Sequence, residues 1–334
     1  MKNYTTLSAL VSPGSAEVFF HTYWNKKFFL NQQGSKELSE LFNYQKLAII
    51  LNAQAYSLQM PDIRMTMDGQ HLEPDEIMES GNYFVVTGKG KKVKISPYKV
   101  KNHLKNGASL ILNDAHEYDL GLQSFAHTLS REMKLPVSVT VFHSSKGKET
   151  FKPHFDPIDV FVIQLEGEKD WVIDGYTANP TMHRDEKDFS PRKKAPAKKF
   201  RMRPGDVLYM PSGVWHSAAA ASDNSLSLNV SFPYMRKIDL AYAIIGKYLI
   251  PNLLNDETLR EYMPLPGLGS DRSYASKLRE TKNRIQGDIK SLLSEFDDTD
   301  LASIMDSLNL FDMNRGMTSS FDNRISFIAD KLTK

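Results

Sequence analysis

Two histidines and one aspartate have the types and spacing that most directly predict chemistry in this sequence. One residue separates His154 from Asp156, and His216 lies 62 positions beyond His154. Alternate residues of an extended segment point to the same side, so His154 and Asp156 can face one ion. Two imidazoles and one carboxylate form the facial triad of non-haem Fe(II) oxygenases, which leaves coordination positions open. We therefore predict a metal site at His154, Asp156 and His216.

Other interpretations of these side chains stay open at this point. Asp159 could be the ligand in place of Asp156, although its odd offset from His154 puts it on the opposite face of a strand. The three residues could also be a hydrogen-bonded turn and a core histidine without a metal. A His-x-Asp triplet is weak by itself, since a second one occurs at His183-Arg184-Asp185.

The middle of the chain positions these residues on predicted β-strands. Short runs rich in Val, Ile, Phe and Trp alternate with Gly and Pro turns, a pattern typical of an antiparallel sandwich or barrel. The predicted strands are Ser138–Phe142, Asp159–Leu165, Asp170–Ile173, Asp206–Met210, Val214–Ala218 and Ser225–Phe232.

Helical sequence flanks this β region on both sides. Residues 1–60 have aromatic side chains at helical spacing, and we expect those aromatics to pack in a core. The C-terminal part contains two amphipathic stripes. The first comprises Leu278, Ile285, Ile289, Leu292 and Phe296, and the second lies at Leu301–Leu308. We predict two domains, residues 1–235 and a helical region at 236–334 that forms a homodimer.

Composition excludes several classes of protein. The net charge is +2, so no global field attracts nucleic acid or an anionic membrane. No apolar run approaches the roughly 18 residues of a membrane span. With no cysteine in 334 residues, any metal must be bound by His, Asp or Glu. We expect a cytoplasmic protein. The basic stretch Arg192–Arg203 is interpreted as a solvated loop before a strand, and contact with a charged partner is the alternative.

The segment from Phe151 to Trp171, which reads FKPHFDPIDVFVIQLEGEKDW, resembles the metal-binding stretch of the JmjC-type, 2-oxoglutarate-dependent oxygenases. It is especially similar to the ribosomal-oxygenase branch, which hydroxylates arginine or histidine side chains of ribosomal proteins. The likeness continues through Gly205–Pro211 to His216, and more weakly back to Phe19–Lys27. The resemblance implies a mainly β fold with helical flanks, whose core is a double-stranded β-helix of the cupin or jelly-roll type.

The resemblance also implies how cosubstrate and metal are bound. It assigns His154, Asp156 and His216 to Fe(II), and Lys169 to the distal carboxylate of 2-oxoglutarate. Asn229 and Ser231 match positions of polar cosubstrate contacts; strand alternation puts them on one face with Ser227, a face that could equally point outward. Related enzymes carry Asn and Tyr where this chain has Thr140 and Phe142, and Phe142 lacks the hydroxyl that would contact the cosubstrate.

We therefore expect a dioxygenase that hydroxylates a side chain of a protein or peptide, such as a ribosomal protein, and couples O2 and 2-oxoglutarate decarboxylation to this reaction. The expected site has no catalytic residue beyond the metal triad. One alternative is an oxygenase or N-demethylase of the same chemistry acting on a small molecule, a free amino acid or a tRNA base. Another is a non-catalytic, cupin-like binding protein.

Overall fold

The computed structural model describes residues 7–32, 34–55, 58, 62–85, 88–146, 151–176, 196–232, 237–262 and 271–295. The chain divides into two compact units, Met1–Pro233 and Tyr234–Lys334. The first is mainly β with helical flanks, as the sequence predicts, and the second is helical where it is described.

The strands and helices of the first unit follow one another in this order. The strands are β1 (Phe29–Asn31), β2 (Ile63–Met67), β3 (Gln70–His71), β4 (Met78–Val85), β5 (Gly88–Ile95), β6 (Ser109–Leu112), β7 (Ser138–Ser144), β8 (Asp159–Glu166), β9 (Lys169–Tyr176), β10 (Lys198–Met202), β11 (Val207–Met210), β12 (Val214–Ala220) and β13 (Ser225–Phe232). The helices are α1 (Leu7–Val11), α2 (Ala16–Thr22), α3 (Lys36–Ser39), α4 (Tyr44–Ala53), α5 (Pro74–Ile77), α6 (Pro97–Lys105) and α7 (Leu120–Met133), with a 3-10 turn at Ala115–Glu117.

Two antiparallel sheets carry the candidate site. The larger has the strand order β1-β11-β8-β13-β7-β6-β2-β3, and the smaller has the order β10-β9-β12. Their facing side chains form one buried apolar cluster, which joins Val160 and Val162 of β8 to Trp171 and Ile173 of β9. The interior of the double-stranded β-helix therefore lies between β8 and β9, and a side chain that shares a face with these residues points inward.

The opposite face of the large sheet packs against the N-terminal aromatic residues. The Phe19 ring lies 5.3 Å from that of Phe161 and 4.8 Å from that of Tyr209, and Trp24 contacts Phe232 at 5.6 Å. These contacts confirm the predicted role of the aromatics in core packing. The helical prediction for residues 1–60 is wrong at β1, because Phe29–Asn31 pair with β11 and form an edge strand of the large sheet.

The basic stretch 192–203 also differs from its prediction as a loop. Its described part contains β10, which pairs with β9 at the edge of the small sheet. Arg201 donates to both carboxylate oxygens of Asp170 on β9, at 2.6 and 2.8 Å, so the neighbouring strand neutralises part of the charge of β10. Lysines suit such an edge because they discourage further strand pairing.

The second unit consists of α8 (Lys237–Ile244), a π-helical turn (Ile245–Leu249), α9 (Ile250–Asn255), a 3-10 turn (Thr258–Arg260) and α10 (Asp271–Glu295). The predicted stripe from Leu278 to Leu292 lies on α10, and Leu278 is 47% exposed. Phe296 and the second stripe, Leu301–Leu308, lie outside the described residues. Across the described ranges, none of the helices has the length and apolar character to cross a membrane.

Candidate metal centre

Backbone hydrogen bonds hold the two segments of the predicted triad side by side. The amide of His154 donates to the carbonyl of His216 at 3.0 Å, and the amide of His216 donates to the carbonyl of His154 at 2.7 Å. The carbonyl of Asp156 accepts from the amide of Gly213 at 2.9 Å. Residues far apart in sequence are thereby held on one pair of strand ends by backbone hydrogen bonds.

Each imidazole is oriented by a carbonyl two residues before it. Nδ1 of His154 lies 2.8 Å from the carbonyl oxygen of Lys152, and Nδ1 of His216 lies 2.9 Å from that of Val214. A carbonyl only accepts hydrogen bonds, so Nδ1 carries the proton in both rings and Nε2 carries the lone pair. Metal-binding histidines are commonly oriented in this way.

The Nε2 atoms converge on the carboxylate of Asp156. Nε2 of His154 lies 4.0 Å from Oδ1, and Nε2 of His216 lies 3.9 Å from Oδ2. These separations are too long for hydrogen bonds, so the three groups do not satisfy one another. One ligand atom from each residue lies within 4.8 Å of the other two. Two nitrogen lone pairs and a carboxylate around one point are a donor set that fits a divalent first-row metal.

Burial keeps His216 in the form that can bind a metal. Its side chain is 7% exposed, and desolvation lowers its pKa, as does the proximity of His154, while Asp156 opposes the shift. The neutral imidazole is therefore favoured at neutral pH. His154 and Asp156 are about one-third exposed, which leaves an open approach to the same point.

Asp159, the alternative ligand, is fully buried and serves the scaffold. Its Oδ1 accepts from the amide of Ser212 at 2.9 Å, and its Oδ2 accepts from the Tyr209 hydroxyl. The carboxylate thus fixes the turn between β11 and β12 at Ser212, which lies two residues before Val214. The predicted preference for Asp156 agrees with this arrangement.

The polar stripe of β13 faces the interior of the barrel. Asn229 is paired with Val162, and Ser231 with Val160, and both valines belong to the inner apolar cluster. Paired residues of neighbouring strands point to the same side of a sheet. The possibility that this stripe points outward is therefore excluded.

Lys169 reaches this interior from the opposite sheet. It is 5% exposed, and its Nζ donates to Ser227 Oγ at 2.9 Å. Desolvation lowers its pKa to about 8, and no carboxylate of the described ranges pairs with it. Its ammonium lies 5.9 Å from the centre of the Phe142 ring. The interior thus contains a buried cation that no anion in the described part of the chain compensates.

A glycine turn positions this lysine. Gly167 has a φ of +63°, and a Cβ there would lie 2.5 Å from Ser222 Oγ, so the turn between β8 and β9 requires glycine. Across from Lys169, Phe142 is paired with Ser227 and Thr140 with Asn229 on β7 and β13. Ser231 Oγ makes a long contact, 3.4 Å, to the carbonyl of Ser138.

Four of the predicted cosubstrate residues, Thr140, Phe142, Asn229 and Ser231, therefore share one wall, and Lys169 faces that wall from the opposite sheet. Of the four, only Phe142 is shown close to Lys169. Sequence reasoning missed Ser227, the one side chain that hydrogen-bonds Lys169 in the described structure. The alternation that indicated Asn229 and Ser231 also placed Ser227 on their face, and this signal could have identified it.

A double-stranded β-helix with a His-x-Asp and a distant His at one end of its strands defines the class of cupin-type, non-haem metal oxygenases. Residues 120–240 match the family model of the JmjC domain. Residues 120–240 thus carry a JmjC domain, and the chain is similar to proteins named as NO66 enzymes and ribosomal oxygenases.

Named relatives are distant in sequence. The bifunctional lysine-specific demethylase and histidyl-hydroxylase NO66 of Dictyostelium discoideum is 26% identical over 77% of this chain and 49% of its own length. Ribosomal oxygenase 2 of Mus musculus is 24% identical over 77% of this chain and 53% of its own length. The chain thus spans about half of each. The uncharacterized protein YxbC of Bacillus subtilis is 22% identical over 86% of both chains.

Solved structures share the fold. YcfD, a ribosomal oxygenase from Escherichia coli solved with cobalt and 2-oxoglutarate, superposes with a TM-score of 0.50 and 16% identity, and covers 85% of this chain and 70% of its own. Its complex with cobalt and succinic acid gives the same TM-score at 18% identity.

Proposed function

We propose that this protein is an Fe(II)- and 2-oxoglutarate-dependent dioxygenase that hydroxylates a side chain of a protein or peptide. The observation that carries the proposal is the convergence of His154 Nε2, His216 Nε2 and the Asp156 carboxylate within 4.8 Å, with both Nδ1 atoms bound to carbonyls. Bound iron, O2 and 2-oxoglutarate supply the oxidising chemistry by which decarboxylation of the cosubstrate is coupled to C–H hydroxylation.

The residues of this chain bind, orient and desolvate the reactants. His154, Asp156 and His216 would hold the metal through two imidazole nitrogens and one carboxylate. Lys169 pairs with the far carboxylate of 2-oxoglutarate, since a buried ammonium beside a hydroxyl gains most from an anion. Ser227 keeps that ammonium aimed into the interior.

A second unsatisfied group in the interior supports a bound cosubstrate. The indole N–H of Trp171 is buried and lacks a hydrogen-bond partner among the described residues, and its ring lies 5.8 Å from that of His216. Buried donors in proteins are almost always satisfied, so a ligand with oxygen acceptors fits this space. Phe142 offers no hydroxyl, so Thr140 and Asn229 provide the remaining polar surface on the facing strands.

A protein or peptide substrate is proposed from the relatives. One is named bifunctional lysine-specific demethylase and histidyl-hydroxylase, and another is named ribosomal oxygenase. The proposal extends this substrate class, including ribosomal proteins, to the present chain.

One assay tests the reaction as a whole. Purified protein is given Fe(II), 2-oxoglutarate and O2 together with ribosomal proteins or a peptide library, and succinate is measured alongside mass spectra of the substrates. We expect succinate and a product heavier by one oxygen atom, both abolished by Asp156→Ala. A product heavier by one oxygen on a metabolite or tRNA alone, or loss of a methyl group, would contradict the substrate or the reaction. Absence of metal-dependent succinate would favour a non-catalytic binding protein.

We also propose that α10 forms a homodimer and that the protein works in the cytoplasm. The apolar stripe of α10 supports the first, because Leu278 is 47% exposed in the single chain. The cysteine-free composition supports the second, since nothing in it calls for an oxidising compartment. Cell fractionation tests the location: recovery in a membrane or secreted fraction would contradict it.

A further inference from the structure

Arg64 lies on the same face of the large sheet as the cosubstrate wall. It is paired with Ile111 of β6, Ile111 with Phe142 of β7, and Phe142 with Ser227 of β13. Each pair points to one side of the sheet. This row of paired residues therefore runs along the inner face of the sheet. It begins at Ser227, whose hydroxyl binds Lys169, and ends at Arg64 on β2.

The charge of Arg64 is partly buried, and no carboxylate in the described part of the chain pairs with it. Its Nη2 donates to the neutral Asn113 Oδ1 at 3.4 Å, and its Nε is enclosed without a hydrogen-bond partner among the described residues. Burial lowers its pKa, and no carboxylate of the described residues offsets this effect. Asp62, the acidic residue two positions earlier, is engaged by the hydroxyl of Tyr118. An anion on the accessible part of the guanidinium would therefore relieve a real electrostatic cost.

The rings of His71 and Phe151 lie between Arg64 and the metal ligand His154. Its charge acts on His71, whose pKa is lowered first by burial and then by Arg64. The His71 ring lies 6.0 Å from that of Phe151, and the Phe151 ring lies 5.4 Å from that of His154. The β2–β3 hairpin thus flanks the segment that carries the first metal ligand.

Arg64 is too far from Lys169 to share its ligand. Neighbouring strands are about 4.8 Å apart, so the three strand steps from β2 to β13 separate Arg64 from Ser227 by about 14 Å at the backbone. A cosubstrate held by Lys169 and the metal does not span that distance sideways along the sheet. The two cations therefore require two different anions.

We propose that Arg64 anchors a carboxylate of the substrate and so makes the enzyme selective for acidic substrates, an inference that rests on the proposed function. A guanidinium presents parallel N–H donors that match the two oxygens of a carboxylate. The carboxylate belongs to an Asp or Glu side chain near the modified residue of a peptide, or to a free acidic amino acid. Arg64 is a specificity residue and takes no part in the oxidation.

Capture of peptides tests this selectivity apart from turnover. Immobilised protein, loaded anaerobically with Fe(II) and 2-oxoglutarate, is exposed to a randomised library of short peptides and, separately, to a mixture of free amino acids. Bound compounds are eluted and identified by mass spectrometry. The variants are Arg64→Gln, Arg64→Lys and Arg131→Gln, the last a matched loss of charge at an exposed position on α7.

We expect wild type and Arg131→Gln to enrich Asp or Glu, and Arg64→Gln to lose about tenfold or more of that enrichment. Arg64→Lys keeps the charge without the paired donors and is expected to fall between them. Enrichment of free acidic amino acids instead of peptides would assign the carboxylate to a small substrate. No acidic preference in wild type, or an equal one in Arg64→Gln, would overturn the proposal. The visible absorption band of the iron and 2-oxoglutarate complex, recorded for every variant, reports on the proposed function separately, so either can fail alone.

Discussion

His154 and His216 form an isolated antiparallel bridge, in which each amide donates to the other's carbonyl and the ring centres lie 4.5 Å apart. The backbone thus brings the two imidazoles together, and the carbonyls of Lys152 and Val214 set their tautomers. Ligands positioned by the scaffold give a preorganised site, which loses little conformational freedom when a metal binds.

The first prediction separates the metal ligand from the scaffold carboxylate. Asp159→Asn keeps the shape but supplies an amide where a charged acceptor now binds Tyr209 and Ser212. We expect it to lower the free energy of unfolding by about 2–4 kcal/mol, measured by urea denaturation, while iron binding persists. Asp156→Asn, the matched control, should lose iron with little loss of stability. Loss of iron in Asp159→Asn that still folds would reverse the two roles.

The second prediction concerns the pH dependence of cosubstrate binding. Burial lowers the pKa of Lys169 to about 8, and a dianion favours its charged form. As pH rises through this value, 2-oxoglutarate must bind together with a proton, so its affinity should fall by about tenfold per pH unit above 8. Calorimetry near pH 8.5 in buffers of different ionisation enthalpy should detect proton uptake. A flat affinity between pH 7 and 9.5 would contradict the assignment of Lys169.

The same lysine should destabilise the empty protein. Its pKa is lower in the folded than in the unfolded state, so the unfolded chain holds more protons between about pH 8 and 10.5 and stability rises with pH in that window. Lys169→Met removes the buried charge and should stabilise the empty protein by about 1–2 kcal/mol at pH 7, after loss of the Ser227 hydrogen bond. It should also abolish 2-oxoglutarate binding. Lys199→Met, at an exposed position of β10, should change neither stability nor 2-oxoglutarate binding. Destabilisation by Lys169→Met would contradict the prediction, because it would show that an anion already compensates the charge of Lys169.

The fourth prediction tests the proposed dimer. Leu278 and Ile285 occupy the apolar stripe of α10, and Leu278 is 47% exposed in the single chain. Leu278→Glu with Ile285→Glu places charges in the proposed interface and should convert a dimer to a monomer in light scattering. Lys282→Glu, on the exposed part of the same helix, should leave the mass unchanged. A monomeric wild type would contradict the dimer.

The sequence predicts the β-strands that have a strong hydrophobic pattern. Continuous apolar runs between glycine and proline turns indicated β7, β8, β9, β11, β12 and β13, and the His-x-Asp spacing indicated the metal site. It missed β1 and β10 for a physical reason. The three residues of β1 are too short for a pattern, and β10, Lys198–Met202, is a charged edge strand that forms because β9 and Asp170 offer it partners.

Contacts that depend on register could not be predicted. Whether Asn229 and Ser231 face inward is decided by the alignment of β13 with β8, which no local spacing encodes. The same holds for Arg64, which reaches the inner face through the pairing of four strands. Such residues lie far apart in sequence and carry no motif, so only the folded sheet reveals that they share a surface.

The most direct test of the metal centre is spectroscopic. Fe(II) and then 2-oxoglutarate are added under anaerobic conditions, and the visible metal-to-ligand charge-transfer band is recorded for wild type, His154→Ala and His216→Ala. We predict a band in wild type and none in either variant, because each change removes one of three ligands whose donor atoms lie within 4.8 Å of one another. A band of full intensity in either variant, or none in an iron-binding wild type, would contradict the proposed site.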